Sequence, residues 1–158
     1  TMPSYNLSTR GRLADIGLGI RVDRATDNIL TSDNLFTVAT GNVLVTLILG
    51  EVTTTMETKV LTFKLQANPT TGTTTDLCAT LDLSADEVGA LYTITGDAAT
   101  DAMQRGESGS VPAQTTAVVV APGTIDAVVG ATHTGSIKWS IWYLPLEDGA
   151  YIEAAAGA

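Results

Sequence analysis

Apolar and polar residues alternate with a period of two along most of this chain, the signature of half-buried strands. The pattern is clearest over Gly135–Leu146. Ile137, Trp139, Ile141 and Tyr143 fall on one side and Lys138, Ser140, Trp142 and Leu144 on the other. The first side is wholly apolar, as a core-facing surface should be. The second begins polar and ends at Trp142 and Leu144, which implies partial cover by a neighbour. Both tryptophans and one of the four tyrosines lie within residues 139–143, in a chain that is only 5% aromatic. This stretch therefore reads as the central strand of a small β-domain.

Shorter strands surround it. Leu35–Val38 is one, and the near-continuous apolar run Val43–Leu49 is a strand covered on both faces. Residues 60–67 alternate again, and the turn Asn68-Pro69-Thr70-Thr71-Gly72 leads into a hairpin partner at 76–81. In that partner Leu77, Ala79 and Leu81 share a face, leaving Cys78 on the other. Ser84-Ala85-Asp86-Glu87 has the spacing of a capping box, and Gly89 limits it to one helical turn. Residues 91–96, 116–120, 124–129 and 151–152 supply further strands, and 97–114 is a long irregular loop. About eight strands with Gly, Pro, Asn and Thr turns predict an all-β fold, an antiparallel β-sandwich or small β-barrel. The β-domain is expected over 33–153, with a frayed tail at 154–158.

Residues 1–32 hold no long apolar block and read as an extended N-terminal arm. Within it Leu18, Ile20 and Val22 alternate with Gly19, Arg21 and Asp23, a pattern for a short strand. That segment either docks as a strand on another protein's sheet, forms the first edge strand of its own domain, or is a mobile tail.

Charge sharpens the division. Residues 1–24 carry Arg10, Arg12, Arg21 and Arg24 against Asp15 and Asp23, a balance of +2; the remainder carries four basic residues against 15 acids, −11. An acidic body repels polyanions, so no nucleic-acid partner is expected. Val43–Leu49 is too short to span a bilayer, so no membrane association is expected. No leader pattern is read at the start, which places synthesis in the cytoplasm of the producing cell. A lone Cys78 forms no internal disulfide.

Candidate chemistry is sparse. His133 is the only histidine, expected in a surface loop, and Cys78 is expected as a core thiol. Zinc needs clustered Cys and His, and Asp97, Asp101 and Glu107 are too widely spaced for an EF-hand loop. Asp86-Glu87 and Glu147-Asp148 are adjacent acids that point apart, and Gly17-Leu18-Gly19 lacks the third glycine of a phosphate loop. The expectation is a protein that is not an enzyme, with no cofactor and no metal. What remains is surface: Trp142, Leu144 and Tyr151 form an apolar patch suited to an oligomer interface, unless the loop 97–114 covers it.

Three segments carry a resemblance. Residues 65–79 (LQANPTTGTTTDLCA), 118–125 (VVVAPGTI) and 135–146 (GSIKWSIWYLPL) are similar to stretches of small virion proteins of tailed bacteriophages. The likeness spans roughly 35–153 and excludes the arm; its motifs are structural. It implies a capsid decoration (cement) protein, a homotrimer on the outer capsid surface whose N-terminal arms clasp the major capsid protein. On that reading Arg10, Arg12, Leu18, Ile20, Arg21, Val22 and Arg24 make the coat contact. The alternative it leaves open is a tail, neck or fibre-associated module that binds host surface glycans through loop 97–114 and Trp142.

Overall fold

The computed structural model describes residues 17–26, 29–97, 100–107 and 109–156. Two antiparallel sheets pack face to face as a sandwich and do not close into a barrel. The first runs β1 (Ile20–Arg24), β13 (Ser136–Pro145), β4 (Val43–Thr54), β8 (Leu91–Thr93), β9 (Gln104–Gly106), with β10 (Val118–Val120) also on β4. The second runs β14 (Tyr151–Ala154), β3 (Asp33–Ala39), β11 (Gly123–Val129), β5 (Thr62–Pro69), β6 (Thr75–Asp76), with β7 (Leu81–Asp82) also on β5. A two-stranded ladder joins β2 (Ile29–Leu30) to β12 (His133–Thr134).

The aromatic strand β13 lies between β1 and β4, as its two-sided pattern requires. Its inward set Ile137, Trp139, Ile141 and Tyr143 is buried. Trp139 crosses the sandwich to stack on Phe63 of β5, ring centroids 5.7 Å apart and 11° from parallel. Its other side lies over Gly50, the residue opposite it on β4. A Cβ at Gly50 would sit 2.7 Å from the indole ring, so this position has room only for glycine. The core thus depends on one large ring placed between a glycine and a phenylalanine.

Several local expectations change. The capping-box segment 84–87 forms a turn without helix. Its backbone is drawn to β4 and the residues just after it: Met56 N–H donates to Asp86 O at 2.9 Å, and Gly89 N–H to Val52 O at 2.9 Å. Those bonds compete with a helical turn and win, and Ala85 takes a positive φ of 62°. The loop 97–114 contains β9, paired to β8. In the hairpin partner the ladder breaks after Asp76, so Leu77 and Cys78 are both buried instead of alternating. Cys78 is the expected core thiol: its Sγ accepts from Leu65 N–H at 3.4 Å, and burial raises its pKa. His133 departs from its expected place in a surface loop. Pairing of β12 with β2 draws it in to 3% exposure, with Nδ1 2.7 Å from Ala131 O and Nε2 buried without a partner among the described residues. At the C-terminus β14 runs to Ala154, one residue past the expected domain end, and Ala155 N–H bonds Leu35 O.

Candidate interaction surface

The short strand in the N-terminal segment is the first edge strand of the chain's own domain. Residues Ile20–Arg24 pair with Tyr143–Trp139 of β13 in antiparallel register. Two devices hold it. Gly19 turns the chain at φ +87°, where a Cβ would lie 2.1 Å from Tyr143 O, so only glycine fits. Just before it, Leu18 O accepts from Thr46 Oγ1 at 2.5 Å, and the same hydroxyl reaches Trp142 O at 3.2 Å. At the strand's other end Arg24 is buried and its Nη2 meets Asp33 Oδ2 at 2.6 Å.

This arrangement sorts the seven arm residues expected to meet a partner. Arg24, only 2% exposed, is turned into its own domain, and Val22 packs against the core. Arg24 is thus committed to its own domain, while Val22 is partly buried. Leu18 and Ile20 remain exposed at 38% and 46%, and Arg21 is also exposed. Arg10 and Arg12 lie outside the described residues.

Of the residues expected at an oligomer interface, Trp142 and Leu144 adjoin them. Arg21 is opposite Trp142, and its guanidinium lies 5.2 Å from the indole centroid. Trp142 is half-buried, and the Arg21 guanidinium of β1 is part of its cover. Across the outer face, Val119 of β10, Leu44 of β4 and Leu144 of β13 are directly opposed, one row of apolar side chains over three strands. Val119 is exposed, while Leu44 and Leu144 are half-buried. Where β13 ends, the chain turns through exposed Leu146 into exposed Tyr151, and β14 lies beside β1. Tyr151, with Ile152 buried beside it, faces outward from the second sheet and so lies apart from the Trp142–Leu144 face. Sequence reasoning assigned arm and patch to separate surfaces and missed Val119, Leu44 and Leu146. The outward apolar member of β10 was visible in the alternation of 118–120; its alignment with Leu44 needs the register.

Charge frames the apolar row. Asp23 accepts from Ser140 Oγ at 2.6 Å and pairs with Arg21 Nε at 2.8 Å; Lys138 pairs with Glu51 at 3.3 Å one row further. The Ser140 hydrogen bond, with Arg21 and Lys138 adding to it, holds the Asp23 carboxyl below its ordinary value of 3.8. A depressed folded-state pKa contributes stability that is present above the unfolded value and is lost as pH falls through the folded one. The β1–β13 contact should therefore loosen below about pH 4, and Ser140→Ala should move that onset upward. Protection of the β1 amides against hydrogen exchange, measured at about pH 5 and about pH 3, checks this. Equal protection at both would show that Asp23 does not help hold the strand.

Other groups with chemical potential lie elsewhere and serve the fold. Asp86, 7% exposed, accepts from the hydroxyl of fully buried Tyr92 and from Arg105 Nη1 at 3.0 Å. Arg105 also donates to Asp82 O at 3.1 Å, so the cluster ties β9 to the 82–86 turn. Burial raises the Tyr92 pKa, and the neighbouring Asp86 adds to that. Cys78 sits between β6 and β7 and His133 in the β2–β12 ladder, so the structure does not bring the two together. A groove of about 350 Å³ lies between β10 and the β5–β6 edge, lined by Ala67, Pro69, Leu77 and Val118–Val120 among others.

No family model, no curated protein and no solved structure matches this chain.

Proposed function

We propose that this protein is a non-enzymatic structural component of a tailed-phage virion, a decoration (cement) protein that binds the outside of the head and stabilises the coat lattice. One observation carries the reading. Leu18 and Gly19, which enter β1, lie against Thr46 and Leu144 on the outer face of the β13–β4 pair, next to the apolar row Val119–Leu44–Leu144. A surface of this kind, apolar at its centre and rimmed by Arg21, Asp23, Lys138 and Glu51, has the make-up of a protein-binding face. Segment resemblance and an acidic body suited to a shell's exterior point the same way. The coat contact falls to residues before β1, with Arg10 and Arg12, and to the outer face; β1 itself is committed to its own sheet.

The glycan-binding alternative needs Trp142 and the 97–114 segment to read one ligand together. Trp142 is on the second strand of its sheet and β9 of the 97–114 segment on the fifth, three strand spacings or about 14 Å apart. The end of that segment comes nearer: Gln114 accepts from Ile48 N–H at 3.1 Å and donates to Val45 O at 3.2 Å, both on β4 beside β13.

The deciding measurement is copy number relative to the major capsid protein in purified particles. A ratio near the coat protein's own abundance is expected. A handful of copies per particle would move the protein to the neck, tail or fibres, and absence from particles would end the virion reading.

A further inference from the structure

β1 ends the strand order of its sheet, and among the described residues no strand is hydrogen-bonded to its outer edge; β14, of the other sheet, lies near it without pairing. Exposed edges invite pairing, and charges on an edge strand ordinarily repel a second strand. Here the order of the charges does the opposite for one particular partner. The strand reads Ile20-Arg21-Val22-Asp23-Arg24, with Arg21 and Asp23 on the outer face and Val22 facing inward between them.

We propose that β1 pairs antiparallel with β1 of a second copy, across a twofold axis through Val22. A twofold perpendicular to the sheet keeps each face on its own side, so directly opposed residues must share a face. That leaves three centred registers in which at least three of the five β1 residues are paired. Centring on Arg21 opposes two arginines, and centring on Asp23 opposes two aspartates. Centring on Val22 sets Arg21 against Asp23 of the second copy and Asp23 against its Arg21, with valine on valine between. Like charges directly opposite destabilise a strand pair and unlike charges stabilise it, so the sequence selects the Val22 register. Each Arg21–Asp23 ion pair is exposed within its own chain, with side chains 50% and 55% accessible, which leaves both groups open to a partner. Pairing would also cover Ile20, 46% exposed at the strand's start.

The consequence goes beyond the proposed function. The two sheets become one across the axis, and the two outer apolar faces lie on the same side. Whatever one outer face binds weakly, the pair then binds with the advantage of two linked sites. The contact joins copies in twos, in place of the threefold association that the resemblance implies.

Mass in solution tests it without any coat protein. The wild-type chain should be a dimer by sedimentation or light scattering. Arg21→Asp places acids against acids at the axis and Asp23→Arg places bases against bases, so each variant alone should be a monomer. Mixed together, the two variants restore both unlike pairs and should form a heterodimer. A wild-type monomer or trimer overturns the proposal, as does a variant that keeps the wild-type dimer. Should either variant fail to fold, wild-type hydrogen exchange replaces it. Protection of residues 20–24 that rises with protein concentration supports the contact, and protection independent of concentration overturns it.

Discussion

Trp139→Ala should cost about 3–5 kcal/mol of unfolding free energy, the range for removing a large buried aromatic ring. Against a total of about 5–15 kcal/mol for an ordinary domain, that is enough to leave a marginal protein partly unfolded at growth temperature. The reason for placing this side chain above the other core residues is its position. It is 2% exposed, stacks on Phe63 of the opposite sheet and lies over Gly50 of the neighbouring strand. Loss of the ring therefore empties both sides at once, and neither neighbour can refill the space. Gly50 has no side chain to extend, and Phe63 is held in β5 between β11 and β7. Denaturant unfolding followed by circular dichroism measures the change. A loss below about 1 kcal/mol would mean that the sandwich closes without this contact.

How far the fold was legible follows from these same residues. Strands with strict alternation and large side chains were readable, since a period of two with Ile137, Trp139, Ile141 and Tyr143 on one face admits a single core-facing side. What alternation does not carry is pairing. β1 has the same local pattern whether it docks on a foreign sheet or its own, and what decides is Arg24: an arginine reads as solvent-facing, yet Asp33 nine residues later gives it a buried partner. His133 was misplaced for a related reason, since two-residue ladders such as β2–β12 are stabilised by their surroundings and leave no periodic trace. The turn at 84–87 shows tertiary bonds overriding a local signal, because Asp86 O accepts from Met56 N–H and its carboxylate from Tyr92 and Arg105, which hold the backbone off a helical path. As for the interaction surface, its members were individually visible as outward apolar residues. Their union was not, because it depends on Val119, Leu44 and Leu144 standing opposite one another on strands far apart in the chain.

Two truncations separate the arm's roles, and they should behave differently. Removing residues 1–16 ends the chain before Gly19 and leaves β1 with all its bonds to β13. The melting temperature should be unchanged, and decoration of heads should fall to background. Removing residues 1–24 takes the strand as well. It strips the edge from β13, uncovers Ser140 and Trp142, and leaves Asp33 without the guanidinium that meets it at 2.6 Å. Breaking a buried ion pair costs about 3–5 kcal/mol, and the access Asp33 keeps to solvent holds this case toward the lower figure. The longer truncation should therefore melt earlier as well as fail to bind, so loss of binding there would say nothing of a coat contact. Only the shorter one isolates it. Normal decoration by protein lacking residues 1–16 would put the contact on the folded outer face alone. In that event Leu144→Asp, which places a charge in the middle of the apolar row and leaves the buried face of β13 untouched, should abolish binding. If that variant also decorated heads normally, neither part of this surface would be what the coat recognises.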